Sequence, residues 1–192
     1  MSGELLVPVD GKGIDWPRRV ANAINALQAS LAALQLRVDD KSGWANYRDS
    51  TAGQALVADT RAQWTNNAAT IDDSEKPTDV ATYWDAADNA VPGMAGDAVV
   101  LRIQSTFTPS DGTASMLTMD LDIGGGTLVD QQSIAITGGA GVPQRISFTS
   151  LGFQRDTWEA NGAKVYVTAD GPGDLTNKRI LVARMHKANA GV

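Results

Sequence analysis

The chain contains no cysteine, a single histidine and no long uninterrupted apolar run. The absence of thiols excludes disulfides, thiolate metal sites and a cysteine nucleophile. A lone histidine, His186, makes neither a triad nor a metal site, and we expect it to be a surface or strand-end residue. The apolar runs fall short of the roughly 18–20 residues that span a bilayer, and no secretion signal is visible at the start. These absences predict a soluble protein made in a cytoplasm.

Positive charge is also in short supply. The 192 residues include 22 acidic and 16 basic side chains, for a net charge of −6. Because such a surface repels phosphate backbones and anionic lipids, we expect neither nucleic acid nor membrane as a partner. The apolar fraction of 43% is ordinary for a globular protein. The length suits one domain of common size with an appendage.

Residues 1–14 form the first of three sections. They carry a short apolar patch, Leu5, Leu6, Val7 and Pro8, followed by two glycines. Proline and glycine disfavour a helix, so we expect an extended or loosely turned arm. An arm this apolar is either a frayed terminus or is bound to a partner, and we predict that it anchors the protein.

Residues 15–42 form the second section and read as a helical stem. Asp15 is a candidate N-cap, and we expect the helix to end near Lys41 with Gly43 as its terminator. Within it, six apolar residues recur at intervals of 4, 3, 4, 3 and 4 residues. This strict heptad repeat is typical of a coiled coil. Its members are Val20, Ile24, Leu27, Leu31, Leu34 and Val38.

The narrow stripe of the stem favours packing against copies of itself. A helix that faces its own domain usually needs a wider apolar face, and an isolated helix of three heptads is marginal in water. Small uncharged residues flank the stripe and leave the seam wide, which favours three strands over two. We therefore predict a homotrimer. A dimer, or docking of the helix on its own domain or on another protein, stays open.

Residues 43–192 form the third section and have the pattern of a β domain. Alternation of period two is clearest where Leu117, Met119 and Leu121 point one way and Asp120 and Asp122 the other. Short glycine- and proline-rich turns separate the strand-like segments. We predict a mainly β head, an antiparallel jelly-roll-like sandwich. The expected strands are 98–107, 115–124, 132–138, 144–153, 163–171 and 179–187, with weaker ones at 55–58 and 62–65 and a loop at 72–79.

No motif in the chain predicts catalysis. Asp120 and Asp122 would lie about 7 Å apart on one side of a strand, which would suit a carboxylate pair or a calcium ion. Solvent-facing aspartates on an amphipathic strand are far commoner, and we expect that here. The glycine-rich pieces at 10–13 and 124–127 lack the context of phosphate-binding loops. We therefore predict no catalytic, cofactor-binding or metal-binding residues.

Five tryptophans stand out in a chain with few aromatic residues. Large aromatic side chains most often serve core or interface packing, although exposed rings could bind sugars. We expect packing for most of them. Trp44, just past the stem, is placed to plug the junction between helix and β domain.

Residues 43–109 resemble a pattern found in tailed-bacteriophage virion proteins. A W-x-x-Y-x-D opening leads to a threonine-bearing strand, a "WD…N" segment and a "GD-x-x-x-x-R-I" strand. The arm and stem are similar to those of phage head fibres, cement proteins and short tail fibres, which are typically homotrimers with a jelly-roll head. The matching positions are Trp44, Tyr47, Asp49, Thr60, Trp84, Asp85, Asn89, Gly96, Asp97, Arg102 and Ile103.

The resemblance implies a virion component without enzymatic activity or cofactor. The expected function is a homotrimeric capsid decoration (cement) or head-fibre protein, anchored by its N-terminal part to the major capsid protein or another virion protein. The alternative is a short tail fibre or receptor-binding protein whose head recognises a host-surface glycan. A carbohydrate-active enzyme would need clustered carboxylates that the sequence does not show.

Overall fold

The computed structural model describes residues 16–38, 41–124 and 126–186, and in the first range it describes the side chains of residues 18–32. The chain divides into two compact units, one containing the N-terminal helix and the other, the head, spanning Lys41–Lys187. The proposed anchor, Leu5 to Pro8, and the candidate cap Asp15 lie outside the described residues.

The stem contains one helix, α1 (Trp16–Val38), of 23 residues. At 1.5 Å per residue it is about 35 Å long. The described part of the helix ends at Val38, and Lys41, the next described residue, is not helical. Gly43 does not terminate it, because this residue opens the first strand of the head, opposite Arg184. Among the described residues, no helix combines the length and apolarity needed to cross a membrane.

The described part of the head contains short and long strands and one further helix. In chain order they are β1 (Gly43–Asp49), β2 (Gln54–Leu56), β3 (Ala62–Gln63), β4 (Thr70–Asp72), β5 (Ala90–Val91), β6 (Ala98–Pro109), β7 (Met116–Asp122), β8 (Leu128–Ala135), β9 (Gln144–Phe153), α2 (Asp156–Asn161), β10 (Ala163–Ala169) and β11 (Gly173–Met185).

The strands form two antiparallel sheets. The first has the order β4-β1-β11-β6-β9, with β2 also paired to β11, and the second has the order β3-β10-β7-β8, with β5 also paired to β10. From β6 onward the chain passes to the second sheet, back for β9, across for β10 and back for β11. Such crossing between two sheets is how a jelly roll is built. The predicted mainly β, jelly-roll-like head is confirmed.

The core lies between the sheets and follows the two-residue period. Leu117, Met119 and Leu121 of β7 are fully buried, as are Val165 and Val167 of β10. From the first sheet, β6 and β9 contribute Ile103, Phe107, Ile146 and Phe148. Inward-facing side chains thus alternate with outward-facing ones. The alternation does not determine what the outward-facing side chains contact.

Predicted and observed strands differ most where the pattern is irregular. β9 agrees with the predicted range, whereas β8 begins at Leu128 and β11 already at Gly173. A bulge between Thr176 and Arg179 interrupts β11, and Asn177 there has a left-handed φ of 48°. The bulge breaks the alternation by which sequence reasoning finds strands. The strands β1, β4 and β5 and the helix α2 were not predicted individually.

Candidate assembly surfaces

Three of the four heptad residues of α1 whose side chains are described are exposed. Val20, Leu27 and Leu31 are 44%, 70% and 62% exposed. Ile24 is half-buried, and the side chains of Leu34 and Val38 lie outside the described part. Val20 and Leu27 lie seven residues apart and Leu31 follows four residues later, so exposed apolar side chains recur at heptad spacing along the helix. The predicted trimer contact remains a prediction.

The outer face of the first sheet carries a second apolar surface. Trp44 pairs with Ala183, Ala183 with Val100, and Val100 with Leu151, so four apolar residues form one row across four strands. The next row joins Met185, Ala98 and Phe153. We call these two rows the apolar patch. Leu151 and Phe153 are 63% and 73% exposed, which is unusual for such large side chains on neighbouring positions.

The other end of the same face is positively charged. In β1 and β11, Arg48 and Arg179 are register partners, while Arg102 of β6 and Arg145 of β9 lie on the adjoining rows. We call these four residues the arginine patch. Arg102 belongs to the segment that carries the virion resemblance, but nothing in the sequence indicated that the four would share a face.

The two aspartates of β7 are buried rather than solvent-facing. Asp120 and Asp122 are 4% and 7% exposed. The guanidinium of Arg61 donates to both: its Nη2 lies 2.5 Å from Asp120 Oδ1 and 3.1 Å from Asp122 Oδ2. It also stacks on the ring of Tyr166, 3.6 Å from the centroid. The position between the carboxylates is thus taken by a cation from the same chain, and the pair serves structure.

These contacts also shift the titration of the guanidinium. The hydrogen bond to Asp120, helped by that to Asp122, raises the pKa of Arg61 above its usual value, and partial burial opposes this. The expectation of solvent-facing aspartates was wrong because Arg61 lies on a different segment, far away in sequence.

His186 follows the last residue of β11, as expected for a strand-end residue, but it is not a free surface group. Its Nδ1 lies 2.8 Å from Oδ1 of the fully buried Asp97, and its backbone N–H donates to Ser42 Oγ. The guanidinium of Arg184 lies above the Tyr83 ring, 4.9 Å from the centroid. Burial lowers the pKa of Arg184, and Asp97 acts in the opposite direction. These contacts tie the end of β11 to its neighbours.

Most residues that carry the virion resemblance form the framework of the head. The indole N–H of Trp84 donates to the backbone oxygen of Asn66, and the Asn66 side-chain amide donates to the backbone oxygen of Tyr47. Asn89, at a φ of 50°, accepts from the Asn66 backbone N–H at 2.7 Å. The segment therefore links β1 to the loops before β5 through Tyr47, Trp84 and Asn89.

Four of the five tryptophans have described side chains, and three of these four are buried. Trp64, Trp84 and Trp158 are at most 2% exposed, which confirms packing for these three. Trp64 and Trp84 meet edge to face with ring centroids 5.7 Å apart. Trp44 is 38% exposed in the apolar patch. The side chain of Trp16 lies outside the described residues, and the plug role of Trp44 stays a prediction.

In the described ranges, no three or more His, Asp or Glu side chains are grouped so that they could hold a metal ion. No family model and no curated protein sequence matches the chain.

Solved structures are similar to the chain in fold. Eiger TNF from S. frugiperda is 12% identical, with a TM-score of 0.50 over 79% of this chain and 96% of that one. PRD1 vertex protein P5 is 15% identical, with a TM-score of 0.44 over 75% and 72%. The globular domain of zebrafish complement 1qA protein is 11% identical, with a TM-score of 0.42 over 77% and 99%. The likeness to Eiger TNF establishes the sandwich fold. At such a low sequence identity it does not indicate a function.

Proposed function

We propose that the protein is a non-enzymatic, homotrimeric virion structural protein, a capsid decoration (cement) or head-fibre protein. Its stem helices associate through Val20, Ile24, Leu27, Leu31, Leu34 and Val38. Its arm, through Leu5, Leu6, Val7 and Pro8, binds the major capsid protein or another virion protein. The head projects from the particle.

The observation that carries the proposal is the exposure of Leu27 and Leu31, at 70% and 62%, on a helix with a strict heptad repeat. Full burial of a leucine side chain contributes about 1.5–3 kcal/mol. In a trimer, every residue of the heptad repeat would contribute free energy from the burial of its side chain. The same helix alone would be marginal in water, so association with copies accounts for both the pattern and the exposure.

The apolar patch supports a trimer that continues into the head. Four residues connect Val38 to Gly43, and an extended chain covers at most about 3.3–3.6 Å per residue. Three associated helices would therefore deliver three copies of β1, each with Trp44, into one neighbourhood. We assign the apolar patch to contact with a second copy of the chain, because this arrangement brings the patches together.

The virion location is supported by the resemblance of residues 43–109 and by what a trimer offers an anchor. Three arms joined by one stem bind neighbouring shell subunits with avidity, so each arm needs only modest affinity. A short apolar segment such as Leu5–Pro8 suits such a contact, as an edge strand or through apolar packing.

A short tail fibre or receptor-binding protein is the second candidate. The observation that favours it is the arginine patch, a cationic surface on a head that belongs to an acidic protein. Recognition of a host-surface glycan by the head would use such a surface, whereas a purely structural decoration would not need it.

Immunogold labelling of intact particles with antibody to the full chain tests the location. A decoration or head-fibre protein should label the capsid in many copies, and a tail fibre should label one end. Particles lacking the gene product provide the control. Absence of label from particles that are otherwise complete would defeat both virion assignments.

A further inference from the structure

Three residues of the arginine patch, Arg48, Arg145 and Arg179, line two adjoining cavities on the outer face of the first sheet. One, of about 290 Å³, is lined by Arg48, Asp49, Ser50 and Lys178. The other, of about 260 Å³, is lined by Gln104, Thr106 and Arg145. Both are bordered by Asn177 and Arg179, so they form one groove, which we call the arginine groove. Its combined size falls in the usual range of roughly 300–1,000 Å³ for small-ligand sites.

The arrangement of charges is costly for the free protein. Arg48 and Arg179 are directly opposite each other on neighbouring strands, and like charges in that relationship destabilise a sheet. Partial burial, together with the charges of Arg48, Arg102 and Arg145, lowers the pKa of Arg179, and Asp72 acts in the opposite direction. The groove is lined by three arginines, and its acid, Asp49, is already paired with Lys178. The arginines therefore leave an excess of positive charge in a protein whose net charge is −6.

The bulge in β11 produces this groove. With Asn177 in the left-handed region, Lys178 turns inward, where it is 2% exposed, and Arg179 turns outward. The Arg179 Nε then donates to Asn46 Oδ1 at 2.6 Å, and Arg145 Nη2 donates to Gln104 Oε1 at 2.9 Å. These contacts hold two guanidinium groups in place before any ligand arrives, which reduces the entropy lost on binding.

We propose that the arginine groove binds a saccharide carrying phosphate or sulfate groups. Guanidinium groups pair with such oxyanions through two parallel hydrogen bonds. Several negative charges are needed to balance the groove, which a single carboxylate would not supply. The neutral side chains of Ser50, Thr106 and Asn177 provide hydrogen bonds for the hydroxyl groups of the carrier. This site does not depend on where in the virion the protein lies.

Calorimetric titration of the full-length protein tests the proposal with four probes. These are a heparin hexasaccharide, inorganic pyrophosphate, neutral maltohexaose and a glutamate hexapeptide. We expect the heparin fragment to bind and maltohexaose not to bind, with affinity falling as salt rises from about 50 to 300 mM because the contacts are charged. Pyrophosphate binding would show that the oxyanion alone suffices, and its failure would show that the sugar is needed; both agree with the proposal.

The double variant Arg48→Gln/Arg145→Gln should lose about 10- to 100-fold in affinity for the heparin fragment. Both side chains are exposed, so folding should survive. Arg155→Gln removes an exposed arginine outside the groove and should bind as the native protein does. Equal binding by the double variant, no binding of the heparin fragment by the native protein, or groove-dependent binding of the glutamate peptide alone would overturn the proposal. So would loss of the oligomer in the double variant, which would make the groove a subunit contact.

Discussion

The Nζ atom of Lys178 lies 3.0 Å from Oδ2 of Asp49, and both side chains are 1% exposed. The pair joins β11 to β1 directly beneath the arginine groove. The other carboxylate oxygen, Oδ1, accepts from the backbone N–H groups of Thr51 and Ala52, and Lys178 also donates to Thr65 Oγ1. A buried ion pair whose remaining hydrogen bonds are satisfied is stable as a unit but costly to break from one side.

Asp49 should therefore make the protein sensitive to acid. Burial alone would raise its pKa, but the hydrogen bond from Lys178 and those from Ala52 and Thr51 outweigh it and lower the pKa from 3.8 to about 2. Because the folded-state pKa is depressed, the stabilisation is complete above about pH 4 and is lost as pH falls toward 2. A difference of this size corresponds to roughly 2 kcal/mol.

Denaturant unfolding followed by tryptophan fluorescence between pH 2 and pH 6 measures this effect. Asp49→Asn should cost about 3–5 kcal/mol near pH 6, because Lys178 is left buried without a counter-charge. Asp49→Asn should also remove the part of the stability loss at low pH that comes from protonation of Asp49. Asp79→Asn, at an exposed position, is the control. An Asp49→Asn protein within about 1 kcal/mol of the native protein would show that the pair does not have this role.

A single substitution in the stem helix should change the mass of the protein's assembly in solution. Leu27→Asp or Leu31→Asp places charges at the centre of a three-helix seam, where they cannot be solvated. Light scattering should show the mass falling from that of three chains to that of one, 20.2 kDa. Ala29→Asp adds the same charge on the exposed side of the helix away from the seam and should leave the mass unchanged.

The same measurement shows whether the stem or the head holds the trimer together. If Leu27→Asp stays trimeric and only loses its oligomer when Leu151 and Phe153 are also changed to serine, the apolar patch holds the trimer. A native protein that sediments as a single chain would contradict both contacts and, with them, the proposed function.

The contacts of Arg61 with Asp120 and Asp122 should stabilise the head without any metal ion. Arg61→Ala removes the cation that Asp120 and Asp122 share and leaves two like charges close together. We expect a cost of roughly 2–3 kcal/mol, reduced from the fully buried case because the Arg61 side chain is 41% exposed. Adding Asp120→Asn to this variant should recover part of the loss. Thermal unfolding measures both effects, with Arg155→Ala as the control.

Calcium should leave the unfolding temperature of the native protein unchanged, because the Arg61 guanidinium already lies between the two carboxylates. A rise in that temperature with millimolar calcium, on the scale of several degrees for about 1 kcal/mol, would show instead that the aspartates form a cation site.

Local patterns determined much of this protein. The heptad repeat of α1 and the alternation in β7, β9 and β10 can be read directly, because each depends on residues within a few positions of one another. They predicted a helical stem, a mainly β sandwich and the buried residues of its central strands. Positions with a left-handed residue, such as the bulge at Asn177, were not predicted because they interrupt the two-residue period of the strand.

Only the tertiary structure decided what the outward residues meet. Asp120 looks like a solvent-facing residue in sequence, yet Arg61, 59 positions away, folds over it. Arg48, Arg102, Arg145 and Arg179 come from four separate strands, and the register of the first sheet places them on one face. Periodicity tells which side of a strand a residue takes. The partner on that side is set by strand order and register, which depend on contacts between distant parts of the chain.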